Sequence, residues 1–188
     1  DYFSSEYQDT EAVNADHPWE ESRGVGGSYG FNRAENIDDY SSSKELIHEL
    51  VDIVSRGGNL LLNVGPTADG RIPVIMQQRL VDIGQWLEIN GTAIYGTRKR
   101  EISSQMNGEK KLYFTSTKGS VFCLLSDWSQ EISIDLLDYE TVSKISLLGL
   151  EGDIQWETEG KRLIIKLPKL GMNEIPCLYI WTLKIDLQ

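Results

Sequence analysis

The chain has 188 residues, 40% of them hydrophobic, with 29 acidic against 18 basic side chains and a formal net charge of −11. That length suits one or two domains with a core of their own, and the acidic balance, with Lys and Arg scattered, repels a polyanionic backbone and argues against nucleic acid as a partner. No run approaches the ~18 consecutive apolar residues of a membrane span, and the opening "DYFSSEYQDTEA" lacks the basic start and apolar core of a secretory signal, so no membrane partner is expected.

From Ser41 to Trp86 the pattern predicts helix, strand, helix. Ser42 followed by Glu45 forms a capping-box pair, Leu46, Leu50, Val51 and Val54 recur at helical spacing, and Gly57 and Gly58 supply a left-handed stop. In "GGNLLLNVGP" (57–66) the segment Asn59 to Val64 reads as a strand covered on both faces, as in parallel sheets flanked by helices. It turns polar from Asn63 onward. Ligands of α/β sheets and barrels bind beyond the carboxyl ends of the strands, so this strand ends either at such a site or in a turn that Asn63, Gly65 and Pro66 merely shape. "TADGRIP" then turns at Asp69-Gly70, Pro73 suits a first helical turn, and Ile75, Leu80, Ile83 and Leu87 line one side of a second helix that stops at Asn90-Gly91. This alternation is α/β architecture.

After about residue 100 the hydrophobic period changes from 3.6 to 2. "KLYFTST", "SVFCLLS", "ISIDLL", "KISLLG", "DIQW", "RLIIKLP" and "LYIWTLKI" are short β-favouring runs separated by Lys118-Gly119, Glu151-Gly152-Asp153 and Glu159-Gly160. They predict an antiparallel β-sandwich. The fold class is therefore α/β followed by all-β, with domains at 1–98 and 99–188.

Cys123 and Cys177 sit in alternating apolar runs without C-x-x-C spacing and read as buried thiols in preference to a bridge. The two histidines, His17 and His48, are far apart and lack a second ligand at metal-site spacing, and neither a G-x-G-x-x-G opening a helix nor a Walker sequence is present. No metal and no cofactor are expected.

"VSRGGNLLLNVGPTADG" (54–70), "IGQWL" (83–87) and "NGTAIYGTR" (90–98), continued upstream by "HPWEES" (17–22) and "GGSYGFNR" (26–33), resemble the segment that closes the catalytic barrel of α-L-fucosidases, family 29 of the glycoside hydrolases. The β-rich remainder agrees in order and length with that family's C-terminal β-sandwich. The resemblance implies that residues 1–98 are the last part of a (β/α)₈-like barrel, which needs roughly 200 residues or more. Hence the segment is expected to fold only when joined to, or assembled with, the missing N-terminal barrel portion. It also implies a retaining exo-glycosidase that releases terminal α-L-fucose from glycans through two carboxyl groups about 5 to 5.5 Å apart. The family's Asp nucleophile and fucose-binding histidines lie upstream, leaving at most the general acid/base here.

For that role the resemblance favours Glu6 in "DYFSSEYQ", at an aromatic-rich strand end before a variable loop and 23 residues ahead of Tyr29, with Glu20 in "HPWEES" as the alternative. Such a carboxyl must be protonated on meeting the glycosidic oxygen and ionised when it activates water, and Tyr2, Phe3 and Tyr7 are expected to supply apolar cover. Tyr29 and Phe31 are expected to bind substrate, an aromatic face packing on the sugar and its methyl group. The family usually has Trp at position 29. Asn63 and Trp19 are expected to support the site from behind, and Arg33 and Arg56 to lie at the solvated surface. Thr92, where the family usually has Glu, completes the N-glycosylation sequon Asn90-Gly91-Thr92. A homo-oligomer is compatible with this reading, and the resemblance implies a periplasmic or secreted bacterial enzyme or a lysosomal animal one. Two rivals stand beside it: a non-catalytic carbohydrate-binding or interaction module, in which the sandwich does the work, and a barrel glycosidase of other sugar specificity.

Overall fold

The computed structural model describes residues 2–7, 17–138 and 140–188, so the variable loop expected after Glu6 lies outside the described residues. The chain divides into two compact units, Asp1–Leu87 and Glu88–Gln188. No helix among the described residues is long and apolar enough to cross a membrane.

The first unit holds strands β1 (Phe3–Glu6), β2 (Trp19–Gly24) and β3 (Gly58–Asn63) with helix α1 (Ser43–Ser55), and helix α2 (Val74–Asn90) begins in it. The three strands form one parallel sheet in the order β1-β2-β3. Helix α1 links β2 to β3 as the crossover a parallel pair requires. It starts where its capping box dictates: Glu45 N donates to Ser42 Oγ (3.2 Å) and Ser42 N donates to Glu45 Oε2 (2.7 Å). It ends at Gly57, which adopts φ 85°. Its core side is Leu46, Ile47, Val51 and Ile53, while Leu50 and Val54 of the expected stripe are only half-buried.

Two expectations for this unit are corrected. Strand β3 is not covered on both faces, because Leu61 is 42% exposed; its neighbours in register are polar, Ser22 beside it and Glu6 beyond. On α2 the buried apolar residues are Met76 and Trp86, whereas Leu80 is exposed.

The second unit contains β4 (Arg98–Asn107), β5 (Lys110–Thr117), β6 (Ser120–Leu125), β7 (Glu131–Asp135), β8 (Val142–Leu147), β9 (Gln155–Glu159), β10 (Arg162–Lys166) and β11 (Trp181–Leu187). They make a five-stranded sheet, β4-β5-β6-β11-β8, and a three-stranded sheet, β7-β10-β9, with antiparallel pairing throughout both. One hydrophobic core joins them, with Leu112, Phe114, Cys123 and Leu183 from the first sheet and Ile132, Ile134, Leu163 and Ile165 from the second. This is the expected sandwich. Strand β4 was absent from the sequence expectation. It carries few apolar residues, and its pairing with β5 shifts register between Lys99 and Ser104. Its amides serve the other sheet: Gln105 Nε2 and Asn107 Nδ2 donate to Ser133 O and Glu131 O, and Asp135 N and Ser133 N donate back to Gln105 Oε1 and Asn107 Oδ1. The backbone of edge strand β7 is thereby satisfied by side chains, which blunts it against pairing with another chain.

Both cysteines are free thiols, Cys123 buried and Cys177 partly so, and burial pushes both thiols above their ordinary range. The end of α2 and the short 3-10 turn Gly91–Ala93 go with the β-rich unit, earlier than the 98/99 boundary. Local bonds account for this: Asn90 Nδ2 reaches Cys177 Sγ (3.5 Å), and Thr115 Oγ1 donates to Ala93 O (2.7 Å). Asn90 is 0% exposed. A glycan on its amide nitrogen has no room in the folded unit. Expressed through a eukaryotic secretory pathway, the folded protein is expected to show an unmodified Asn90 peptide by mass spectrometry before and after glycosidase treatment; a glycosylated Asn90 in monodisperse protein would contradict this packing.

Candidate active site

Paired residues of a parallel sheet share a face, so the register divides the first unit's sheet into two sets of side chains. Phe3 and Ser5 of β1, Trp19, Glu21 and Arg23 of β2, and Gly58, Leu60 and Leu62 of β3 lie on one face. Ser4 and Glu6, Glu20, Ser22 and Gly24, and Asn59, Leu61 and Asn63 lie on the other.

The first face carries α1. Leu62 packs with Val25, Leu46 and Met76, and Trp19, 1% exposed, stands against Gly58, where a Cβ would come within 2.5 Å of the indole. The Arg56 guanidinium lies 5.1 Å from the Trp19 ring centroid and pairs with Asp52 at 2.7 Å, so Arg56 is held and not merely solvated. Trp19 thus sets the spacing of β2, β3 and α1 from the side opposite Glu6 and Glu20. Glu21, unremarked in the sequence, is completely buried. Its carboxylate accepts from Ser5 Oγ and from Arg23 Nε and Nη2, the latter pair at 3.1 and 2.8 Å, while Arg23 Nη1 reaches Glu49 of α1. Burial pushes the Glu49 carboxyl above its usual range, with Arg23 opposing that shift.

The second face carries the candidate site. Glu6 is the last residue of β1, exposed, and in register with Ser22. Ser22 Oγ lies 3.1 Å from Tyr29 Oη. Glu20 occupies the same face, half-buried, two positions nearer the amino end of β2, a distance of roughly 7 Å along the strand. Tyr29 and Phe31 are each 39% exposed on the loop after β2.

That loop is fastened at the carboxyl ends of the strands. Asn63 Nδ2 donates to Tyr29 O (2.6 Å), and Val25 N donates to Asn63 O (3.2 Å). Gly65 lies so close to the loop that a Cβ there would meet Phe31 N, with Gly30 C at 2.6 Å and Phe31 Cα at 2.8 Å. Both polar features of "NVGP" therefore hold the aromatic loop: Asn63 by a hydrogen bond, Gly65 by leaving room for backbone. The exposed apolar neighbours do not close over Glu6, since Tyr2 is 66%, Phe3 56% and Tyr7 40% exposed. Arg33 is exposed, as expected.

The family model for α-L-fucosidase matches residues 1–92, and the model for the α-L-fucosidase C-terminal domain matches residues 106–186. The chain belongs to the α-L-fucosidase family. It is 38% identical over 174 residues to the human tissue α-L-fucosidase, covering 90% of this chain and 37% of that protein. The crystal structure of the Thermotoga maritima α-fucosidase with a mechanism-based inhibitor superposes with a TM-score of 0.83 at 31% identity, covering 98% of this chain and 42% of that one. The same enzyme in complex with fucose superposes with a TM-score of 0.82 at 30% identity, with the same coverage. The chain thus spans less than half the length of these fucosidases.

The clamp on the fucosidase segment's aromatic loop is testable in the full-length protein. Gly65→Ala is expected to destabilise it by ~1–3 kcal/mol through overpacking against backbone, and Asn63→Ala by about 1 kcal/mol through loss of one hydrogen bond, both read as melting temperature. Limited proteolysis at the loop spanning 26–33 should accelerate in both variants; unchanged cleavage in Gly65→Ala would refute the clamp.

Proposed function

We propose that this chain is the C-terminal portion of a retaining exo-α-L-fucosidase, with residues 1–98 completing a (β/α)₈-like catalytic barrel and residues 99–188 forming its β-sandwich. The substrates are glycans bearing terminal α-L-fucose. The reading rests on one juxtaposition: Glu6 ends a parallel strand on the same face as Ser22, whose hydroxyl meets Tyr29. A carboxyl and an aromatic ring at the carboxyl ends of parallel strands are what a sugar-cleaving site at that location needs.

In this mechanism Glu6 protonates the glycosidic oxygen as the bond to the aglycone breaks, while an Asp supplied by the rest of the barrel attacks the anomeric carbon. Glu6 then takes a proton from the water that releases fucose. Tyr29 and Phe31 present ring surface to the sugar, and Asn63 acts through the Tyr29 backbone. Glu6 is favoured over Glu20 because it stands at the strand end, whereas Glu20 lies deeper, in register with Ser4 and Asn59. The fucose and mechanism-based-inhibitor complexes of the Thermotoga maritima relative agree with this assignment of substrate.

The part-barrel reading draws support from the exposure of Leu61, Tyr2 and Phe3, because parallel sheets are ordinarily covered on both faces and leave no free strand edge. The missing barrel portion would supply that cover.

The test uses the complete enzyme and a series of aryl α-L-fucosides. Glu6→Ala is expected to lower kcat/KM by ~100-fold or more for poor leaving groups, which need proton donation, and far less for activated ones, with azide restoring turnover of the latter. If Glu20→Ala shows that dependence and Glu6→Ala does not, the acid/base is Glu20.

A further inference from the structure

The assignment of Glu6 leaves unexplained the residue that follows it. Tyr7 is one of two non-glycine residues with positive φ among those described, at 50°. Side chains avoid this left-handed region, and a residue persists there only where its surroundings over-determine it. They do so here through the phenol. Gly24 N donates to Tyr7 Oη at 2.7 Å, and Tyr7 Oη donates to Gly26 O at 3.3 Å. The hydroxyl thus bridges the last residue of β2 and a backbone point two residues beyond it. Position 24 is kept clear for it, since a Cβ on Gly24 would stand 2.6 Å from Tyr7 Oη and 2.6 Å from Ser28 O. The Arg23 guanidinium, itself held by Glu21, lies 5.9 Å from the ring centroid.

We propose that Tyr7 is a positioning residue for Glu6, its hydroxyl fixing the backbone on which the carboxyl is presented to the glycosidic oxygen. The proposal rests on the reading of Glu6 as acid/base. Tyr7 need not touch substrate for this. Glu6 is bounded on one side by its pairing with Ser22 and on the other by a residue that leaves the extended conformation, which ends β1 at Glu6. The same glycine that admits the phenol admits the carbonyl of Ser28, one residue before Tyr29. The acid and the aromatic ring are therefore referenced to one point of backbone. Without the hydroxyl, Tyr7 is free to return to a relaxed conformation and carry Glu6 with it, and a displacement of about 1 Å at a reacting group costs on the order of 100-fold in rate.

The experiment compares Tyr7→Phe with Glu6→Ala in the complete enzyme. The kcat/KM values are measured on aryl α-L-fucosides of graded leaving-group pKa and normalised to active sites titrated with a mechanism-based fucosyl inactivator. Tyr7→Phe is expected to lower kcat/KM by ~10–100-fold on poor leaving groups and by less than about threefold on a dinitrophenyl fucoside, the same pattern as Glu6→Ala at smaller amplitude. A uniform loss across the series, no loss at all, or a zero titre of active sites would overturn the proposal, because each makes the hydroxyl a structural tie or an idle group. Leaving-group dependence in Glu6→Ala but not in Tyr7→Phe removes Tyr7 alone. Its absence from Glu6→Ala removes the acid/base reading and this proposal together.

Discussion

The Tyr29 carbonyl is the point from which the candidate site hangs. A loop rich in glycine and serine has little of its own to order it, and fixing each residue costs roughly 1–2 kcal/mol of backbone entropy. Here a strand end does the ordering. Asn63 at the end of β3 donates to that carbonyl, Gly65 lets Gly30 and Phe31 lie against the chain, and the Asn63 carbonyl accepts from Val25 at the start of the loop. The contacts are backbone to backbone or amide to backbone. They place the ring of Tyr29 without engaging its hydroxyl, which remains to meet Ser22.

The opposite face of the same sheet pays for this openness. Glu21 is fully buried between two strands, an expensive position for a carboxylate unless each lone pair is met. Ser5, Arg23 and, beyond it, Glu49 meet that demand and tie β1, β2 and α1 into one body. Removing one member of such a set leaves an uncompensated charge, so the network fixes the lateral position of β1 on β2. Glu6 inherits that register. Trp19 adds a steric constraint at the other end of the strands, where its indole fills the space that Gly58 leaves.

Much of this fold was legible in the sequence, and where it was not the causes are physical. Helix α1 begins and ends on local signals, a capping box and a left-handed glycine, which need no tertiary context. The sandwich strands announce themselves by alternation, with turns at Gly119, Gly152 and Gly160, all at positive φ. Strand β2 reads as "WEESRG", with three charged residues in six, and no propensity argument makes that a central strand. Its burial depends on the Glu21–Arg23 pair within the strand and on the pair Arg23 makes with the distant Glu49. Strand β4 is hidden likewise, because its Gln and Asn act as acceptors and donors for another strand's backbone and not as an apolar stripe. At the candidate site, Glu6, Tyr29 and Phe31 are expectations of the family motif, and the polar end of "NVGP" left open a strand ending at a site or in a turn. The roles of Tyr7, Ser22 and Gly24 depend on register, which a single sequence does not reveal.

Two acids of one small sheet illustrate how environment assigns function. Glu21 and Glu6 occupy adjacent strands on opposite faces, and Ser5, the residue before Glu6, is the one that donates to Glu21. A carboxylate enclosed by a serine and an arginine is a structural acceptor, its oxygens committed to the bonds that hold β1. Glu6 is exposed at the strand end, which suits the acid/base role proposed for it, since that role asks a group to give up a proton in one step and take one in the next. The alternation of a β-strand thus places the structural carboxyl and the carboxyl proposed as acid/base on opposite faces, with Ser5 bonded to the first and adjacent in sequence to the second.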